Sequence, residues 1–201
     1  MIYLYAITED APQGFCGLGV DGEAVVTMAS SGLQLAHSFH RADFKPEVTP
    51  DALWAHEGVV DELMETGPVV PFRFGTTLPD REQAEAFVAR EADRFRRTLA
   101  ELRGRVELAV RVALPQRASA DGAGYLAARA QEQNVLTPLD EFASATTKQT
   151  SAQTLRASYL VASDEVDQFA ALVRDLQQTN PDVTLTCTGP WAPYSFVGDA
   201  R

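Results

Sequence analysis

Residues 67–76 read G-P-V-V-P-F-R-F-G-T, and the reading of this stretch decides the fold. Pro68 and Pro71 fix their own φ and push the residue before each into extended backbone. Val69, Val70, Phe72 and Phe74 supply the apolar area of a buried strand. A proline cannot donate to a ladder, so a strand with one at its start and one in its middle belongs at a sheet edge or beside a bulge. Gly75 then releases the chain towards a helix starting near Pro79. Arg73 is a single cation between two phenylalanines, and it has two readings. One is a structural arginine paired with a carboxylate, as a buried guanidinium requires. The other is a contact to an anion or a partner.

Outward from this stretch, the N-terminal side reads as a small antiparallel sheet. Ile2 to Ile7 is β-branched and aromatic with little polarity, which predicts a central strand. Phe15 to Val20 and Ala24 to Ala29 flank Asp21-Gly22, a pair that tolerates the positive φ of a type I′ hairpin turn. Ser31-Gly32 turns again into Leu33 to His37. The run G-F-C-G-L-G meets neither dinucleotide-fold nor phosphate-loop spacing and has no helix after it. Thr49-Pro50-Asp51 opens a helix to about Thr66, capped by Thr49 with Pro50 in the first helical position. Leu53, Val60, Leu63 and Met64 form its apolar stripe.

On the other side, Pro79 to Leu102 is a long helix with Val88, Phe95, Leu99 and Leu102 on its apolar face and Gly104 at its C-cap. Arg105 to Leu114 alternates. Val106, Leu108, Val110 and Val112 point one way, Glu107, Ala109 and Arg111 the other, as in a half-buried strand. Glu107 is the expected counter-ion of Arg73. Pro115 to Gly124 reads as a loop, Tyr125 to Asn134 as an alanine-rich helix, and Thr137 to Thr150 is ambiguous, with a possible helical turn over Asp140 to Thr146. Leu155 to Ser163 is a strand. Ser163-Asp164-Glu165 caps a helix to about Thr179 with Val166, Phe169, Ala170, Val173 and Leu176 inward, and Val183 to Thr188 is a last strand. Strand, helix, strand, helix, strand over 105–188 predicts a plait of modified ferredoxin-like type. The fold class is therefore α+β in two small domains, 1–103 and 104–201, with an ordered proline-aromatic tail over 189–201. Trp191, Tyr194 and Phe196 give that tail area that water would not tolerate without reason. It is either strapped over its own chain or docks a partner.

Composition bounds the function. The chain has 201 residues, 45% of them hydrophobic, and a formal net charge of −11, with no basic tail. Phosphate neutralisation on nucleic acid is a poor fit to that charge. The arginines between Arg90 and Arg105 interleave with Glu91, Asp93 and Glu101, as on a solvated helix face. Cys16 and Cys187 stand alone, as reduced thiols of a cytoplasmic protein would. No run has the length of a membrane span, and the first residues lack the basic region of a signal peptide. His56-Glu57 suggests a zinc helix, but Val60 stands where the second histidine belongs. His37, His40 and Asp43 sketch a metal site without the further ligands one needs. No catalytic residue, cofactor or metal is expected.

G-P-V-V-P-F-R-F-G-T, the strand G-R-V-E-L-A-V and the ending T-G-P-W-A-P-Y-S-F-V together resemble the gas vesicle protein GvpL/GvpF family. I-Y-L-Y-A-I, A-H-E-G-V-V-D-E-L-M and S-Y-L-V fit the same order. Two features depart from the family pattern: a shorter stretch between Gly124-Tyr125-Leu126 and Tyr159, and Ala192 where a proline is usual. The resemblance implies two α+β domains, the second ferredoxin-like. It implies an accessory protein of gas vesicle assembly, located in the cytoplasm and on the gas-filled protein shell. Its partners would be the very hydrophobic main shell protein and other accessory proteins, with no nucleic acid or membrane. Trp191, Tyr194 and Phe196, with the sheet of the first domain, are the contact candidates. The alternatives are an enzymatic or small-ligand-binding ferredoxin-like protein, using His37, His40 or His56, and a generic adaptor.

Overall fold

A computed structural model describes residues 1–10, 17–113, 135–150 and 154–198. The sequence-predicted helix over Tyr125 to Asn134 lies outside them. The chain is α+β with two antiparallel sheets, and it divides into two compact units. One is Met1–Gly104 together with the chain from Ala192; the other is Arg105–Trp191. The tail thus groups with the first unit from Ala192 onward, where the sequence reading grouped 189–201 with the second. The reason is burial: Ala192 is fully buried in the same apolar cluster as Tyr3, Tyr5, Val60 and Leu63.

The first sheet contains β1 (Ile2–Thr8), β2 (Val25–Ser30), β3 (Leu33–Phe39), β4 (Val69–Pro71) and β5 (Thr77–Leu78). Its order is β2-β3-β1-β4, with β5 also pairing β1. β1 is the central strand and is buried over all seven residues. A sheet strand is buried throughout only when both its faces are covered. Helices α1 (Pro50–Met64) and α2 (Arg81–Leu102) provide the two covers. The β1–β3 register shifts between Leu4 and Ala6, so Tyr5 is a bulge residue, and this keeps Tyr3 and Tyr5 in the cluster that α1 closes. β4 lies at the sheet edge, where its prolines require it to be. The hairpins carry the positive φ that their sequences promised: Asp21 at 57° and Gly22 at 72°, then Ser31 at 52° and Gly32 at 73°.

Thr49 caps α1 by accepting from the Ala52 N–H, and Asp80 caps α2 by accepting from that of Gln83. The buried stripe of α1 is His56, Val59, Val60 and Leu63. Leu53, expected inside, is 39% exposed. It occupies the fourth helical position, in the first turn, and Val48 just ahead of the cap is exposed as well. In α2, Phe87 and Phe95 pack their rings on Phe72. Gly104 has φ 67° at the end of that helix.

The second sheet contains β6 (Arg105–Ala113), β7 (Ala145–Thr150), β8 (Thr154–Ala162) and β9 (Thr184–Trp191), in the order β7-β8-β6-β9. β7 fills the stretch left ambiguous by sequence. A helix over residues 135–142, here α3, and α4 (Val166–Thr179) complete the unit. Its core joins Leu108, Val110, Val112, Leu139, Tyr159 and Phe169.

Candidate functional site

The F-R-F-G segment after β4 is held by a short chain of hydrogen bonds. The Phe72 carbonyl can only accept, so His56 donates to it from Nε2, at 3.0 Å. That leaves Nδ1 as an acceptor for the Tyr3 hydroxyl, also at 3.0 Å. The Tyr3 oxygen in turn accepts from the Gly75 N–H at 3.1 Å. Phe72 is buried, Phe74 closes on the Tyr3 and His56 rings, and Arg73 between them is exposed. Gly75, at φ 86°, makes the turn. His56 is 1% exposed, and burial lowers its pKa from 6.5 to about 4. Burial also raises the Tyr3 hydroxyl. The imidazole is therefore a neutral clamp tying α1 to β1 and to the turn between β4 and β5.

A second relay runs beside it. The Val20 N–H donates to the Tyr5 hydroxyl at 3.0 Å, Tyr5 bonds Ser38 Oγ at 3.0 Å, and Ser38 meets His40 Nε2 at 2.9 Å. His40 stacks on Phe44 with ring centroids 3.8 Å apart. His37 bonds the Leu35 carbonyl through Nδ1 and sets its ring edge against Phe39. The three histidines thus each have a structural contact. Among the described residues, no three His, Cys, Asp or Glu side chains converge as metal ligands would.

The tail residues separate. Trp191 ends β9 and is 37% exposed. Tyr194 and Phe196 sit in a 3-10 turn, both half-buried. Tyr194 packs near His56, with ring centroids 6.4 Å apart. Its hydroxyl is buried beside Glu57 and, among the described residues, closes no hydrogen bond of ordinary geometry. Burial raises the pKa of Glu57 and of Asp61, and the Glu65 charge raises Asp61 further. Of the expected ion pair, Arg73 is exposed rather than buried, and Glu107 is 6% exposed on β6 of the second unit.

The second unit has an open apolar groove of about 510 Å³ between α4 and the edge strand β9, lined by Val166, Ala170, Val173, Leu185 and Cys187. Burial raises the Cys187 thiol. Gln177 covers one end of the strand's free edge. Its amide donates to the Val183 carbonyl and accepts from the Leu185 N–H, each at 2.7 Å, as a residue of a neighbouring parallel strand would. At the other end Gly189, at φ 122°, lies so close to β6 that a Cβ would be 2.8 Å from the Glu107 carbonyl. Periodicity in the sequence could not reveal these features, because each depends on residues brought together from distant elements.

The family model for gas vesicle synthesis protein GvpL/GvpF matches residues 1–124 and 118–198. The chain belongs to the GvpL/GvpF family. Gas vesicle protein F2 of Halobacterium salinarum is 31% identical over 202 residues, covering 98% of this chain and 91% of that one. Gas vesicle protein L of a Streptomyces species is 29% identical over 250 residues, with 99% and 93% covered. The crystal structure of GvpF from an Anabaena species superposes with a TM-score of 0.85 at 18% identity, over 100% of this chain and 97% of that one. GvpF from Microcystis aeruginosa gives 0.81 at 20% identity, with 98% of each chain covered. This GvpL/GvpF protein thus has the GvpF fold at low identity. Among its described residues, no helix is long and apolar enough to cross a membrane.

Proposed function

We propose that this GvpL/GvpF protein is an accessory factor of gas vesicle assembly that binds the main shell protein and other accessory proteins and catalyses no reaction. The observation that carries the reading is apolar surface left open on the edge strands of both sheets. Val26 on β2 is 39% exposed, and Trp191 at the end of β9 is 37% exposed; the groove under α4 runs along earlier residues of the same strand. An apolar, self-assembling shell subunit needs such surface to be held apart from its copies, and a sheet edge or an adjoining groove offers it. Trp191, Tyr194 and Phe196 remain the proposed tail contacts; Trp191 is exposed and the other two are half-buried, Tyr194 partly packed on the first unit's cluster.

The second unit is proposed to be a ferredoxin-like plait. Its four-stranded order, with β6 and β8 central and α4 joining β8 to β9, supports this. The pairing of Arg73 with Glu107 belongs to the same proposal, and a double-mutant cycle giving less than about 0.3 kcal/mol of coupling would remove it. The protein works in the cytoplasm, on the growing shell. The test is co-expression with the shell protein and recovery of the complex. Val26→Lys and Trp191→Ala should each lower recovery while the protein stays folded. Unchanged recovery in both would refute the edge-strand contact.

A further inference from the structure

The outer face of α1 has features that its own fold does not use. Trp54 is 68% exposed, although an indole is among the side chains most often buried or at an interface. One turn further on stands Gly58, in the interior of a helix that starts at Pro50 and ends at Met64. A Cβ on Gly58 would meet nothing within 4 Å, and its φ is not positive, so neither packing nor backbone demands a glycine there. The same face continues with Asp61, Glu62 and Glu65 at helical spacing, Asp61 half-buried and the other two exposed. Residues 46–72 contain six acids and not one lysine or arginine. Burial raises the pKa of Asp61, and the like charge of Glu65 on the same helix raises it further.

We infer that this face is a docking surface for a basic amphipathic helix of a partner protein. Gly58 leaves a notch beside the Trp54 knob, and a second helix can approach the backbone closely at such a notch. Trp54 provides the apolar anchor typical of an interface centre. The carboxylates of Glu62 and Glu65 then select lysine or arginine along one side of the incoming helix and repel acidic segments. Reading the occupant as another gas vesicle protein rests on the function proposed above; the surface itself is read from this chain alone.

The full chain carries only two tryptophans, Trp54 and Trp191, so 5-fluorotryptophan labelling gives two fluorine resonances, one for each surface. The probes are synthetic peptides of about 25 residues, enough for several helical turns, tiling the shell and accessory gas vesicle proteins. Peptide anisotropy reports binding anywhere on the chain. Peptides with several Lys or Arg at helical spacing should move the Trp54 resonance. Their affinity should fall by about tenfold or more in Gly58→Gln and in the Glu62→Lys, Glu65→Lys double variant. All three positions are exposed, so these variants keep the fold. Basic peptides that bind without moving Trp54, that bind Gly58→Gln equally well, or that do not bind at all would each overturn the docking surface. Movement of Trp191 alone would overturn it and leave the edge-strand reading standing. Movement of neither resonance would likewise overturn it, while the edge-strand reading, which also rests on Val26, is decided by the recovery assay.

Discussion

At the scale of single residues, His56 is the group on which the first unit most depends. Its two ring nitrogens hold Tyr3 and the Phe72 carbonyl, and neither partner has water to fall back on. His56→Gln should cost about 2–4 kcal/mol in urea unfolding. The imidazole also gives a pH signature. Its pKa is about 4 in the folded protein against 6.5 for an ordinary histidine. Between those values the unfolded chain takes up a proton that the folded one refuses. The His56 contribution is therefore complete above about pH 6.5 and is lost as pH falls towards 4, for a total on the order of 3 kcal/mol. Glu57 and Asp61 act in the opposite sense, because their raised pKa values make the folded state the better proton binder above the usual carboxylate range. The comparison that isolates His56 is thus wild type against His56→Gln, each unfolded at several pH values from 7 to 4, and equal slopes would contradict it. Gly19→Ala probes the neighbouring relay. A Cβ there would lie 2.0 Å from the Tyr5 hydroxyl, so the loss should be about 2–4 kcal/mol in the same experiment. The sequence pointed to His56 as half of a failed zinc motif and as a candidate of the small-ligand alternative, not as a clamp. Its actual partners lie 53 and 16 residues away, at a separation no local pattern reports.

At the scale of elements, what was legible followed from local chemistry. Thr49 and Pro50 start α1, Gly104 ends α2, and the prolines of 67–76 put β4 at an edge. The missed elements lacked such signals. β7 reads A-T-T-K-Q-T, an edge strand with no apolar alternation, and β5 has only two residues. Leu53 fits the stripe by spacing, but spacing does not report that the first turn of the helix is left exposed. Two variants test the helical elements. Gly58→Ala removes a glycine from an exposed helix interior with open space around it, so the melting temperature should rise with a gain of about 0.5–1 kcal/mol. Gln177→Ala uncovers the Val183 carbonyl and the Leu185 N–H at the β9 edge and should cost about 1–2 kcal/mol, with faster amide exchange at Leu185.

At the scale of the whole molecule, the chain makes the first unit, leaves it to build the second, and returns at Ala192. The returning segment brings Ala192 into the first unit's apolar cluster, with Tyr194 packed against it. Ending the chain at Trp191 should therefore destabilise the first unit, read as faster amide exchange in β1 and α1, while β6 and β8 keep their protection. The sequence reading had the aromatic area of the tail but not its destination, because composition says that a segment must be covered and not by what. Among the described residues, Val26 and Trp191 on the edge strands and Trp54 on α1 are exposed, and the proposed binding of other polypeptides rests on them. The most direct measurement is a sedimentation and pull-down assay of the purified chain with freshly synthesised main shell protein. The account predicts that the chain retains shell subunits in a defined soluble complex that Val26→Lys or Trp191→Ala weakens. Shell protein that aggregates alike with and without the chain, and is never recovered with it, would contradict the account.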